Sequence, residues 1–211
     1  MSLINWDALW KFNLATAYRN RLGKTSYWNK RAVGFNENTV LMENLTKSQL
    51  ERMSLLPENS VLEIGAGTGR LTIPMARLVK HVTAVEPSPI MISLLESNSK
   101  KQEVYNITPL NCSCEDLDTI NIIKPHEVVV ASFSLFMTDI KAALKKLNSL
   151  ATKRVHLFLS ASKWISDELQ EIIYGETLPF LCGDYIYVYN ILHDLGILAN
   201  VEIWDHQSTQ S

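Results

Sequence analysis

An α/β fold with a doubly wound, mostly parallel sheet is what this sequence predicts, on three observations. From Ser60 onward, short apolar runs suited to buried strands alternate with longer segments of helical period, the pattern of a parallel sheet with helices on both faces. The first run, Val61-Leu62-Glu63-Ile64, passes straight into Gly65-Ala66-Gly67-Thr68-Gly69-Arg70, with glycine at alternate positions. The next run ends in an acid, Glu86, followed by Pro87.

Each element follows from local pattern. In the first sixty residues Leu3, Trp6, Trp10, Leu14 and Ala17 recur three or four positions apart, which places them on one helix face. A break at Gly23-Lys24-Thr25-Ser26 precedes a helical stretch from Tyr27 to Ala32, and a further helix is expected from Glu37 to Met53. Strands are expected at 60–64, 81–86, 107–111, 127–133, 154–161 and 200–205, with helices near 71–79, 88–100, 138–151, 164–174 and 184–195. Pro74 lacks an amide hydrogen, so it belongs in the first turn of its helix or bends it. Gly196 stops the last helix as a left-handed terminal residue does. Tyr185, Tyr187 and Tyr189 cannot share one helix face, because alternate residues diverge by roughly 200° at 3.6 residues per turn.

The 211 residues suffice for a sizeable core. One domain is expected over 1–211, with a helical lid over 1–56, an α/β core over 57–205 and a polar tail over 206–211. The composition, 46% hydrophobic and 20% charged, is ordinary for a globular protein. With 20 basic and 22 acidic residues the chain has no large positive field for a phosphate backbone, so a nucleic-acid partner is not indicated. Residues 1–60 hold eight Lys or Arg against five Asp or Glu, a mild excess that decides nothing. No apolar stretch approaches a bilayer span, and the segment from Met1 to Asp7 lacks the basic start and apolar centre of a signal peptide, so a cytoplasmic location is expected. Three cysteines, two of them in Cys112-Ser113-Cys114, come without a second C-x-x-C or a histidine cluster, so no metal is expected. His81, His126, His156, His193 and His206 are scattered and read as surface or satisfied groups.

The glycines after the first strand open a turn where main chain can approach a ligand, and the helix that follows presents its first amides to the same crevice. A dinucleotide fingerprint, G-x-G-x-x-G, needs its third glycine at position 70, where this chain has Arg70. A nucleotide-dependent oxidoreductase is therefore disfavoured. The observed G-x-G-x-G, with Glu63 two positions before the first glycine and Glu86 ending the next strand, resembles motif I and its successor in class I S-adenosylmethionine-dependent methyltransferases, which have a Rossmann-like fold.

That resemblance spans roughly Ser60 to Ala161 and implies S-adenosyl-L-methionine as cofactor. It implies that Glu86, beside Pro87, accepts hydrogen bonds from both ribose hydroxyls, and that the backbone of Gly65, Ala66 and Gly67 lies against the methionine part and ribose. Glu63 would orient the turn or meet the ligand's ammonium group through water, or is simply a capping or solvated carboxylate. Asn111-Cys112-Ser113-Cys114-Glu115-Asp116-Leu117 looks like the loop bordering the adenine, with Ser113 where an aspartate often stands and Cys114 where a backbone amide meets the ring. Glu115 and Asp116 substitute for that aspartate or are solvated loop acids. Ala131, Ser132 and Phe133, ending the fourth strand, would contact the methionine end. Tyr27, Trp28 and Arg31 resemble the N-terminal lid of small-molecule methyltransferases, though aromatic packing of the helix on the sheet is the better explanation of them.

No Asn or Asp followed by Pro-Pro-Tyr and no Pro-Cys pair follows the fourth strand, so enzymes that methylate base amino groups or cytosine carbon are not matched. The sulfonium donor is already activated, and direct displacement needs placement and a proton route more than a catalytic triad. No catalytic residue is assigned, and a small-molecule acceptor is expected. A donor-binding module without turnover, and a protein or RNA methyltransferase, remain alternatives. The family's seventh strand has no counterpart after 200–205, which leaves a truncated chain, a partner's strand in a homodimer, or a six-stranded sheet with an exposed edge.

Overall fold

The computed structural model of the protein describes residues 3–15, 17–119, 124–161, 168, 171 and 184–205. In chain order its helices are α1 (Trp6–Leu14), α2 (Ala17–Leu22), α3 (Thr25–Asn38), α4 (Glu43–Met53), α5 (Thr72–Ala76), α6 (Pro89–Lys101), α7 (Ile140–Leu150) and α8 (Asp184–Asp194). Its strands are β1 (Ser60–Ile64), β2 (His81–Val85), β3 (Ile107–Leu110), β4 (His126–Ser132) and β5 (Ala151–Phe158). The chain sorts into two compact units: Met1–Gly23 with Leu135–Lys145 and Leu159–Ile203, and Lys24–Ser134 with Lys146–Phe158 and Trp204–Ser211.

The second unit carries the sheet. All five strands are parallel, in the order β3-β2-β1-β4-β5, with helices on both sides as the alternating pattern predicts. Central β1 pairs Ile64 with Val85 on one side and with Ala131 on the other. The residues just beyond, Gly65, Glu86 and Ser132, therefore reach one edge, where the strand order reverses and an open parallel sheet has its crevice. Val61, Val82, Val128 and Val130 form the core with Ile73, Met75 and Ala76 of α5. Pro74 lies in the first turn of α5, where its missing N–H costs no helical bond.

The first unit buries Trp10 completely, and its indole Nε1–H donates to the Met137 carbonyl at 2.8 Å. Tyr187 of α8 meets Trp6 and Trp10 edge-on at 6.5 and 6.2 Å. Tyr187 is buried and Tyr189 exposed, as their angular separation on the helix requires. Gly196, at φ +74°, closes α8, and the Ile197 amide donates back to the Leu192 carbonyl at 2.9 Å.

Several expectations need correction. Leu3 precedes α1 and is fully exposed, so it is not part of the apolar face. The helix expected over Tyr27–Ala32 extends over Thr25–Asn38, and the one expected from Glu37 begins at Glu43 after a 3₁₀ turn at Thr39–Met42. Residues 200–205 form no strand. Their alternating pattern is spent on Trp204, which packs edge-on against Phe158 of β5 at 6.0 Å with the Arg52 guanidinium 4.3 Å from its ring centre. The helix expected at 164–174, apart from Glu168 and Glu171, and the tail from His206 lie outside the described residues.

Candidate active site at the carboxyl edge of the sheet

The bend after β1 is built by backbone conformation that other residues adopt only with strain. Gly65, Gly67 and Gly69 have φ of +77°, +57° and +95°. The Gly65 and Ala66 amides both donate to the Val85 carbonyl, at 2.8 and 3.0 Å, so the bend is tied to the end of β2. A side chain at Gly65 would put its Cβ 2.3 Å from the Cβ of Ser134, whose hydroxyl donates to the Ile64 carbonyl at 2.5 Å. At Gly67 the nearest atom would be a Phe35 ring carbon at 3.6 Å.

Glu86 points at this bend. Its Oε2 accepts the Gly67 N–H at 3.0 Å and its Oε1 the Ser88 N–H at 2.8 Å. Burial pushes its carboxyl above the ordinary range, and the two amides oppose that shift. Each carboxylate oxygen keeps a second lone pair, so the group can accept further hydrogen bonds from a ligand diol. Asn111 holds the following turn, its amide donating to the Glu86 and Pro87 carbonyls at 2.9 and 3.1 Å. Ser88 caps α6, accepting the Met91 N–H at 3.2 Å.

Glu63 is placed differently. It is 2% exposed, accepts the Thr72 hydroxyl at 2.6 Å, and burial raises its pKa to about 7 against the opposing effects of Thr72 and Arg70. Ala131 is fully buried within β4, Ala66 is buried against Ala84 and Leu95, and Phe133 lies against the core at φ +52°. Ser132 is half-buried and bonded to Gln49 and Arg70, each at 3.0 Å.

In the loop after β3, the Ser113 hydroxyl donates to Asp116 at 2.7 Å and accepts the Asp116 amide at 3.2 Å. Cys114 is buried, Glu115 is exposed, and both their carbonyls accept Lys146 Nζ at 2.9 Å. Tyr27, Trp28 and Arg31 share α3: the Arg31 guanidinium sits 4.1 Å from the Tyr27 ring centre, and Trp28 meets Tyr27 and Phe35 edge-on at 5.2 and 5.9 Å. α3 is fastened to α6 by Ser88 Oγ donating to Asn29 at 2.6 Å and Asn98 donating to Asn36 at 2.6 Å.

Sequence reading missed Gln49, Thr46 and Asn29, met Asn111 only as the start of the loop after the third strand, and met Arg70 only as a departure from a fingerprint. Gln49 carried one usable signal: a polar residue on the expected buried stripe of a helix that holds Leu45 and Met53. Among the described residues no group of three or more His, Cys, Asp and Glu could hold a metal, and no helix is long and apolar enough to cross a membrane.

A parallel sheet with this order, a three-glycine bend after its central strand and an acid aimed at the bend make a crevice at the switch point where open α/β sheets take their ligands. Residues 61–153 match a family described as "Methyltransferase domain". An uncharacterized protein of Haemophilus influenzae is 29% identical over 209 residues, covering 95% of this chain and 76% of that one. A ribosomal RNA small subunit methyltransferase A from Malacoplasma penetrans is 30% identical over 87 residues, but the match covers only 41% of this chain and 31% of that protein. Among solved structures, a Methanococcus maripaludis protein with a provisional S-adenosyl-L-methionine-dependent methyltransferase description aligns at 16% identity over 81% of this chain and 85% of its own, with a TM-score of 0.59. The magnesium protoporphyrin IX methyltransferase of Synechocystis, solved with bound S-adenosylhomocysteine, aligns at 18% identity over 91% and 89% with a TM-score of 0.53.

Proposed function

We propose that the chain is a class I methyltransferase that moves the methyl group of S-adenosylmethionine to a small-molecule acceptor by direct displacement, with Glu86 and the glycine bend holding the donor's nucleoside. The observation that carries this reading is the Glu86 carboxylate meeting the Gly67 amide at 3.0 Å, which aims the acid into the bend with lone pairs to spare. The residues fit an adenosyl group: Gly65 and Gly67 leave main chain bare, and the acid is held charged-ready by two amides. When bound, the cofactor supplies an activated methyl on a sulfonium. Glu86 would fix the ribose hydroxyls, Gly65, Ala66 and Gly67 would line the methionine part, and Ala131, Ser132 and Phe133 would border its amino-acid end. Glu63 supports the turn from beneath through Thr72. Ser113, Cys114 and Glu115 would border the adenine, with the Ser113 hydroxyl proton already engaged by Asp116.

A small acceptor is favoured by α3, whose Phe35 reaches Gly67 and whose Tyr27, Trp28 and Arg31 lie on the same helix. Such a cover excludes water and bulky substrates. The overall charge of −2 offers a polyanion little attraction. The experiment is calorimetry with S-adenosylhomocysteine followed by radiolabelled methyl transfer over a small-molecule library, total RNA and a protein extract. Label in small molecules is the expected result; label confined to RNA or protein overturns the acceptor class.

A further inference from the structure

Among the described residues, α3 is used on one side only. Ala32 is fully buried, Asn29 and Asn36 are bonded to Ser88 and Asn98 of α6, and Phe35 reaches Gly67. On the other side Lys30, Val33, Gly34 and Glu37 are exposed, Val33 to 60%. These four positions, three or four apart, form one stripe along the helix. Val40 and Leu41, in the 3₁₀ turn that continues α3, are 73% and 71% exposed and prolong it. Gly34 weakens the middle of the helix, and nothing in its own surroundings calls for it: its φ is not positive, and a Cβ there would meet nothing within 4 Å. Bare main chain beside exposed valine and leucine fits the close approach of a second helix.

The charges on the stripe indicate which helix that is. Neither Lys30 nor Glu37 has an opposite charge three or four positions away, and among the described residues neither is in an ion pair. They stand seven positions apart, so they lie within about 20° of each other round the helix. They are also equidistant from the midpoint between Val33 and Gly34. A two-fold axis through that midpoint, with a second α3 running antiparallel, sets Lys30 of each copy against Glu37 of the other. Val33 and Gly34 then meet at the crossing, and Val40 and Leu41 of each copy cover the start of the other's helix. An anionic membrane is a poorer match, because Glu37 stands on the centre line of the stripe where the headgroups would repel it.

We propose that the exposed face of α3 binds a second copy of this chain, as an antiparallel helix pair in which two Lys30–Glu37 contacts fix the register, independently of the reaction catalysed. Burial of Val33, Val40 and Leu41 supplies the affinity, and the charges supply orientation and choice of partner. One helix face makes a small contact, so the dimer is transient, with dissociation in the micromolar range. Sedimentation velocity of the full chain across micromolar concentrations at low salt is the test. The expected result is a monomer–dimer equilibrium. Lys30→Glu and Glu37→Lys, both at exposed positions and both checked by melting curves, each set like charges together in both contacts and should raise the dissociation constant by about tenfold or more. An equimolar mixture of the two single variants should regain the dimer, because each carries the charges that the other lacks. The double variant Lys30→Glu/Glu37→Lys should dimerise like the wild type. A wild type that stays monomeric throughout overturns the proposal, as does a dimer that neither single variant weakens, or single variants that stay monomeric when mixed. A monomer that instead floats with phosphatidylcholine–phosphatidylserine vesicles, and loses them in Val33→Glu, gives the stripe to a membrane and overturns it too.

Discussion

The two sides of the glycine bend differ in how they treat a buried acid. On the β2 side, Glu86 is met by two backbone amides and keeps lone pairs directed at the bend. Within β1, Glu63 is buried more completely with one hydroxyl partner and a pKa of about 7. Burial raises both carboxyls. The number and kind of donors then separate a group suited to ligand recognition from one that supports the turn. The glycines divide likewise, Gly65 lying against Ser134 and Gly67 against the tip of Phe35.

The largest expected effect breaks that division at Gly65. Gly65→Ala combines a left-handed backbone with a Cβ 2.3 Å from Ser134 Cβ, and should lower unfolding free energy by about 3–4 kcal/mol. Gly67→Ala meets only ordinary contact at 3.6 Å and should cost about 1–2 kcal/mol from its backbone alone. Urea melts of the pair that coincide would erase the distinction between the two sides.

Next is the acid within β1. Glu63 has a folded pKa of about 7 above its ordinary 4.5, so the folded state binds the extra proton between those values. Its contribution is fully present below about pH 4.5 and is lost as pH rises through about 7, a fall of about 3 kcal/mol at most. Glu63→Gln keeps a partner for Thr72 and should flatten that part of the stability profile. An unchanged slope in denaturant melts from pH 4.5 to 8 would remove Glu63 as its source.

On the ligand side, Glu86→Ala should weaken S-adenosylhomocysteine binding by about 1.5–3 kcal/mol, the range for hydrogen bonds to a charged group. Calorimetry giving wild-type affinity in a folded variant refutes the ribose assignment. The smallest effect belongs to α3: Arg31→Ala removes a cation–π contact at 4.1 Å and should cost about 0.5–1 kcal/mol in thermal stability.

The strand, bend, helix and acid-tipped strand were legible because each depends on local chemistry. Buried strands demand apolar runs, positive φ demands glycine, and a polar strand end next to Pro87 stands out against Val85. Strand limits agree with the expected ones to within three residues. The sixth strand did not form because an alternating pattern establishes only that a segment has two faces. In Val201-Glu202-Ile203-Trp204 the one large burial falls to a single ring on Phe158 and Arg52.

By itself the sequence determined the order of elements, the glycine bend and the acid beside it, since all three are written in residues that are neighbours along the chain. Tertiary structure alone decided the strand order β3-β2-β1-β4-β5 and the meeting of Arg70 with Thr46, Gln49 and Ser132, which lie 24, 21 and 62 positions away. Hydrogen-bond partners so distant are chosen by which side chains the packed helices and strands bring to one edge, and no periodicity or spacing in a linear chain encodes that choice.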